Sequence, residues 1–323
     1  MKVNRTVILS LAIASLVLSS CRGKGGSDSS VSVPVREFPA PPQVPSVLSD
    51  PVAANGYVAE HFWDAFLSKP YPCDSAVVNG VKADDVESAL GKFVTILEQF
   101  CSTEQSVKAM SGFFGKVSAF QETNPSSNVF AFFEKMVPKY LFDPNSPVRD
   151  ETLYLPYVKG LSTSGLVSEE MKPAYGRDAF TCSVNMVGSK ASDVVFTDIA
   201  GKRHNLYGIK ADNTLLLFTN PGCHNCEEVI AQLSLNERVR ALILSGRLAV
   251  VNIYIDLERD KWKAAAKDYP ALWYNGYDQD YAVRNTLSYC VRAIPSLYVL
   301  DKDKNVIFKD APIERVLPFL ENI

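Results

Sequence analysis

Cys223-His224-Asn225-Cys226 sets two thiols three positions apart, directly after the apolar run Leu215-Leu216-Leu217-Phe218 and a short turn. A strand that opens into a helix with this spacing places the first sulfur at the helix N-terminus. The second then lies one turn further in, within bonding reach. Two thiols so arranged make and break disulfides. Unpaired N–H groups and the helix dipole favour a thiolate at the first position, which makes Cys223 the attacking sulfur. Cys226, less exposed, is the sulfur that resolves a mixed disulfide. His224 either supports the Cys223 thiolate by charge or hydrogen bond, or faces solvent without effect.

Other chemistries fit these residues less well. Copper or zinc on Cys223, His224 and Cys226 is disfavoured, because adjacent Cys and His side chains diverge, so no metal is expected. A c-type haem site requires a histidine after the second cysteine, and Glu227 stands there. No nucleotide-binding glycine pattern occurs, and no cofactor is expected. The formal net charge is −3 and no basic stripe is present, which argues against nucleic acid.

The elements that position the pair follow from the change of period along the chain. From about Asn55 to Asn185 the pattern is helical. Asp84 to Phe100 reads as an amphipathic helix with Val86, Leu90, Phe93, Val94, Leu97 and Phe100 on one face. Further helices are expected over Thr103–Phe120, capped by Thr103, and over Ser127–Leu141 and Thr152–Leu161. No nucleophile–base pair or metal spacing occurs in this half, and His61 reads as structural. Past Gly188 the pattern becomes extended. Val194–Phe196 and His204–Tyr207 flank Gly201 as a hairpin, Leu215–Phe218 and Leu248–Ile255 read as buried strands, and Pro295–Leu300 and Val306–Phe308 as the last two. Helices over Cys223–Leu233, Glu237–Leu244, Lys261–Ala266 and Ile313–Leu320 complete an α/β arrangement.

The start of the chain speaks to compartment. Lys2 and Arg5 precede an apolar stretch from Val7 to Leu18, too short for a stable membrane span and suited to a signal-peptide core. It ends in Leu18-Ser19-Ser20-Cys21, which resembles the lipobox of bacterial lipoproteins, against the plainer reading of an ordinary signal with a chance cysteine. The resemblance implies lipidation at Cys21, and acyl chains add ~0.8 kcal/mol of membrane affinity per buried methylene. Arg22 is not the aspartate that retains such proteins in the inner membrane, so the resemblance implies an outer-membrane anchor facing the periplasm. The division expected is a signal peptide over 1–20, a lipidated tether over 21–52, a helical domain over 53–185 and an α/β domain over 186–323. Seven cysteines occur. With Cys21 lipidated and Cys223 and Cys226 as a redox pair, Cys73, Cys101, Cys182 and Cys290 remain. Cys73 with Cys101 is the favoured structural disulfide, and buried free thiols are the alternative.

Three features in order resemble a thioredoxin-like domain, closest to the TlpA/ResA-like periplasmic branch. They are the strand into Cys223-x-x-Cys226, the later strand ending at Asp256, and Val291-Arg292-Ala293-Ile294-Pro295-Ser296-Leu297-Tyr298-Val299-Leu300-Asp301. The resemblance covers the last ~135 residues. It implies an α/β thioredoxin-like C-terminal domain preceded by an all-α domain. It also implies a cis Pro295 that leaves the Ile294 backbone free to pair with a substrate strand, and protein thiols or disulfides as substrates with a redox partner protein. The helical half, with His61-Phe62-Trp63-Asp64, resembles a helical domain found ahead of thioredoxin-like domains in lipoproteins of Gram-negative anaerobes. Two departures stand out. Gly222 replaces the family's tryptophan before the first cysteine, and Leu217 stands where many members carry a buried acid. Deprotonation of Cys226 would then fall to Glu227, Glu228 or water. The function expected is a membrane-anchored periplasmic thiol–disulfide oxidoreductase, its direction open. The alternative is a peptide- or partner-binding module with a thioredoxin-like groove and little catalysis.

Overall fold

The structure, a computed structural model, describes residues 35–323. The signal segment and Cys21 lie outside them. Asp50 accepts from the Ala53 N–H and Pro51 occupies the first turn, which together start α1 (Pro51–His61). A two-residue hairpin, β1 (Val77–Val78) and β2 (Val81–Lys82), turns at Asn79-Gly80, both with positive φ. Then come α2 (Ala83–Gln99), α3 (Thr103–Thr123), α4 (Val129–Leu141), α5 (Glu151–Thr163) and α6 (Lys172–Ser183).

α2 buries the expected face, except that Phe100 falls past its end and is exposed. The cap of α3 is Ser102 rather than Thr103: its hydroxyl accepts from the Gln105 N–H, and Gln105 Oε1 accepts from the Ser102 N–H. α6 carries little apolar periodicity, buries only Cys182, and was not foreseen. Part of the segment read as tether is docked. Arg36 donates to the Phe66 and Asn79 carbonyls, and Phe38 lies 5.4 Å from Phe66 and 5.6 Å from Trp63, ring centre to ring centre. A single aromatic and a half-buried guanidinium are enough to hold it, which a composition rich in Gly, Ser and Pro conceals.

The second half begins with β3 (Val195–Asp198) and β4 (Arg203–Asn205), followed by β5 (Asn213–Phe218), α7 (His224–Leu235), α8 (Glu237–Leu244), β6 (Leu248–Tyr254) and α9 (Arg259–Ala265). β7 (Tyr274–Tyr277), α10 (Ala282–Thr286), β8 (Ser296–Leu300), β9 (Val306–Phe308) and α11 (Ile313–Asn322) complete it. The sheet runs β4-β3-β7-β6-β5-β8-β9. β5, β6 and β7 are parallel; β8 and β9 join antiparallel on one side, β3 and β4 on the other. Apolar side chains on both faces of β5 and β6 form two cores, Leu216, Phe218, Val251 and Ile253 on one and Leu215, Leu217 and Val250, with Leu233 of α7, on the other.

Charges join the halves. Arg292 donates from Nε to Glu151 Oε1 (3.1 Å) and from Nη2 to Asp310 (3.0 Å), and its guanidinium stacks 3.9 Å from the Phe142 ring centre. Its Nη1 also donates to the Phe142 carbonyl, the C-cap of α4. Lys309 Nζ donates to the Thr181 and Cys182 carbonyls, both at 2.9 Å, closing the C-terminus of α6, and pairs with Glu151 at 2.8 Å. Arg149 Nε donates to the Asp310 carbonyl at 2.9 Å, and Arg315 pairs with Asp150, the N-cap of α5, at 2.8 Å. Burial, reinforced by Glu151, pushes the Asp310 carboxyl up against the pull of Arg149 and Arg292.

Candidate active site

Pro221-Gly222 turns the chain from β5 into α7, with Gly222 at φ +75. A tryptophan there, as in the family, would be strained; glycine adopts this conformation freely. Cys223 is the N-cap of α7, and its sulfur accepts from the Cys226 N–H at 3.3 Å. It is partly exposed, whereas Cys226 is 1 % exposed. Burial first, then the hydrogen bond with Cys223, pushes the Cys226 thiol up to about 12. The Ile294 carbonyl lies 3.9 Å from the Cys223 sulfur, and the Ile294–Pro295 bond is cis. The structure therefore brings Cys223, Cys226, Ile294 and Pro295 together.

His224 does not join them. Its side chain is 80 % exposed and its Nε2 lies 3.2 Å from Glu228 Oε1, one turn along α7. This takes Glu228 away from Cys226 as well. No carboxylate among the described residues hydrogen-bonds Cys226. Glu227 acts on it only through space, as a charge that raises the thiol further. Tyr269, itself pushed up to about 12 by burial, stands close enough for the two groups to interact electrostatically, and Thr219 at the end of β5 donates to Asn252 Oδ1 at 2.5 Å. Asn252 in turn donates to Asn275 (3.3 Å). These residues escaped sequence reasoning because isolated Thr, Asn and Tyr in strands and loops carry no spacing signal.

The remaining cysteines among the described residues are free. Cys73 lies 3.6 Å from the Ser126 carbonyl beyond the end of α3, and Cys101 precedes the start of α3. That helix has 21 residues, a length of about 30 Å, so the expected Cys73–Cys101 disulfide does not form. Cys182 is buried against the helical core, and burial pushes its thiol well up. Cys290 is buried and lines a cavity with Asn220, Asp256 and Ile294.

Three comparisons bear on identity. Residues 19–177 match the family described as Domain of unknown function (DUF5106). A thioredoxin-like protein from Bacteroides caccae is similar over 87% of this chain and 97% of its own, at 29% identity and a TM-score of 0.74. The C-terminal domain of an uncharacterized Bacteroides fragilis protein is similar over 42% of this chain and 97% of its own, at 40% identity and TM-score 0.41. A domain of a possible thiol-disulfide isomerase from Cytophaga hutchinsonii is similar over 43% and 94%, at 26% identity and TM-score 0.38. No curated protein matches. With its parallel β5–β6–β7 core, its antiparallel β8–β9 edge and the helices before them, the chain carries an N-terminal DUF5106 domain followed by a thioredoxin-like domain.

Proposed function

We propose that this protein is a thiol–disulfide oxidoreductase of the cell envelope, with Cys223 attacking and Cys226 resolving. The observation that supports it best is the partly exposed Cys223 sulfur at the cap of α7, one turn before the buried Cys226. The Cys223 thiolate attacks a substrate disulfide. One Cys223–substrate S–S bond forms, the substrate S–S bond breaks, and the departing sulfur takes a proton. Cys226 then gives up its proton to solvent and attacks the Cys223 sulfur. The substrate leaves as a dithiol, and Cys223 and Cys226 are left as a disulfide. An external dithiol restores them; run backwards, the same steps oxidise a substrate dithiol. The substrates are protein thiols or disulfides, and a redox partner protein sets the direction.

With dithiothreitol as reductant, Cys223→Ser should lower disulfide turnover at least about a thousandfold. Cys226→Ser should retain attack and accumulate mixed disulfides in the periplasm. Turnover that survives Cys223→Ser would end this reading. The anchor belongs to the same proposal: Cys21 lipidated, on the outer membrane and facing the periplasm. Labelling with a radioactive fatty acid that persists in Cys21→Ala would remove it.

A second reading is a partner- or peptide-binding module with little catalysis. It is favoured by the Cys226 thiol at about 12 with no carboxylate bonded to it, which slows resolution. Wild-type protein that captures one equivalent of substrate as a mixed disulfide, and then stalls, would select this reading.

A further inference from the structure

A cleft of about 330 Å³ opens beside Ile294 and Pro295; the start of α11 borders it with Pro312, Ile313 and Glu314, and it has two further walls. One is the face of α7 that carries Asn225, Val229 and Gln232. The other comes from the helical half: the turn after α4, with Pro144, Asn145 and Pro147. That turn is held by its own bonds. Asp143 accepts from Asn145 N–H through Oδ1 (2.8 Å) and from Ser146 N–H through its carbonyl (2.9 Å), and Ser146 Oγ donates to the Tyr140 carbonyl (2.5 Å). Arg149, buried under the turn, reaches the Ser146 carbonyl (3.4 Å) and the Asp310 carbonyl across the junction. Two prolines and these bonds make the wall rigid. Arg292, two residues before Ile294, is clamped by Glu151 and Asp310, so the floor is fixed to the same half as the wall.

We infer that the DUF5106 half is a selectivity element of the redox site: its Pro144–Pro147 turn walls the substrate groove, so that only an extended polypeptide segment around the reacting cysteine enters. The inference rests on the disulfide-exchange reading above. A cleft of this volume lies at the lower end of the ligand-pocket range, ~300–1,000 Å³, and holds only a few residues. Its floor offers the Ile294 backbone, for which no main-chain hydrogen bond occurs among the described residues. An open backbone edge takes an extended chain, as in β-strand addition. The Cys223 sulfur lies 3.9 Å from the Ile294 carbonyl of this floor, so a disulfide carried on a convex folded surface is the substrate that the Pro144–Pro147 turn would obstruct.

The test uses the full-length protein, dithiothreitol and three substrates. They are bis(2-hydroxyethyl) disulfide, a linear octapeptide whose single cysteine is capped with 2-mercaptoethanol, and a folded protein with one surface cysteine capped likewise. Wild type should favour the peptide over the folded carrier by about tenfold in kcat/KM. Asn145→Trp, at an exposed position facing the cleft, should lower peptide turnover about tenfold and leave the small disulfide unchanged. Pro144→Gly with Pro147→Gly should raise turnover of the folded carrier about fivefold, again with the small disulfide unchanged. Equal effects on all three substrates, or none on any, would overturn the wall. If wild type fails to reduce bis(2-hydroxyethyl) disulfide, the exchange reading falls and the wall with it.

Discussion

The core of the helical half and the junction between the halves are both buried, and they are built from opposite materials. The helical core is a cluster of rings: Trp63 stacks on Phe113 with centres 4.9 Å apart and meets Phe133 edge-on at the same distance. The junction is a cluster of ions, with Glu151 and Asp310 nearly inaccessible among Arg149, Arg292 and Lys309. Rings bury area without needing particular partners, so such a core tolerates rearrangement. Buried charges are stable only with every partner in place, so the junction admits one arrangement of the halves. The wall of the groove is thereby held where it stands.

The largest effect should come from the aromatic side. Trp63→Ala leaves a cavity at the centre of the ring cluster and should cost about 3–5 kcal/mol in urea unfolding. The ionic side answers with Arg292→Met, which leaves Glu151 with Lys309 alone and Asp310 with Arg149 alone among the cations, and should cost about 3 kcal/mol. If the accompanying Glu151→Gln and Asp310→Asn restore none of that loss, the contrast between the two clusters is wrong. Glu98, close to Arg315 (3.6 Å) and Asp150 at the edge of the junction, sharpens the comparison by pH. Burial, reinforced by Asp150 and opposed by Arg315, raises its carboxyl from 4.5 to about 7. Below pH 4.5 it is protonated folded or unfolded and costs nothing. Between 4.5 and 7 the unfolded chain releases the proton first, so stability falls over that window and stays lower above it. Against wild type, Glu98→Gln should therefore gain about 2 kcal/mol on going from pH 4.5 to pH 8. Identical pH profiles would remove Glu98 from the junction's electrostatics. The smallest effect belongs to a neutral cap: Ser102→Ala removes the acceptor of the Gln105 N–H and should cost about 1 kcal/mol in the same urea unfolding.

The same contrast decides what could be read beforehand. The pair Cys223 and Cys226, its strand and the Ile294–Pro295 segment were legible, because C-x-x-C after an apolar run is a local pattern and the Ile-Pro segment follows at the separation the resemblance implies. The buried face of α2 was legible through its helical period. β7 was not: Tyr274-Asn275-Gly276-Tyr277 lacks strand composition, yet Gly276 is required there, because a Cβ would stand 2.4 Å from the Phe196 ring and 2.9 Å from the Thr197 carbonyl. The junction was wholly hidden. Arg292 and Glu151 are 141 residues apart and Arg315 and Asp150 165 apart, and no periodicity links single charges across such distances. The groove wall was present in the sequence only as a turn, Asp143-Pro144-Asn145-Ser146-Pro147, with nothing to say what it faces.

Lys309 and Arg292 have a consequence for how the protein is made. They supply the last hydrogen bonds of α6 and α4 from positions 127 and 150 residues further along the chain. A chain emerging from the ribosome presents its helical half first. Until those two cations arrive, the ends of both helices and the Glu151 carboxylate have only water. The half that comes out early is thus completed by the half that comes out late, and a nascent chain stopped before Arg292 should be cut by protease within α6 where the finished protein is not.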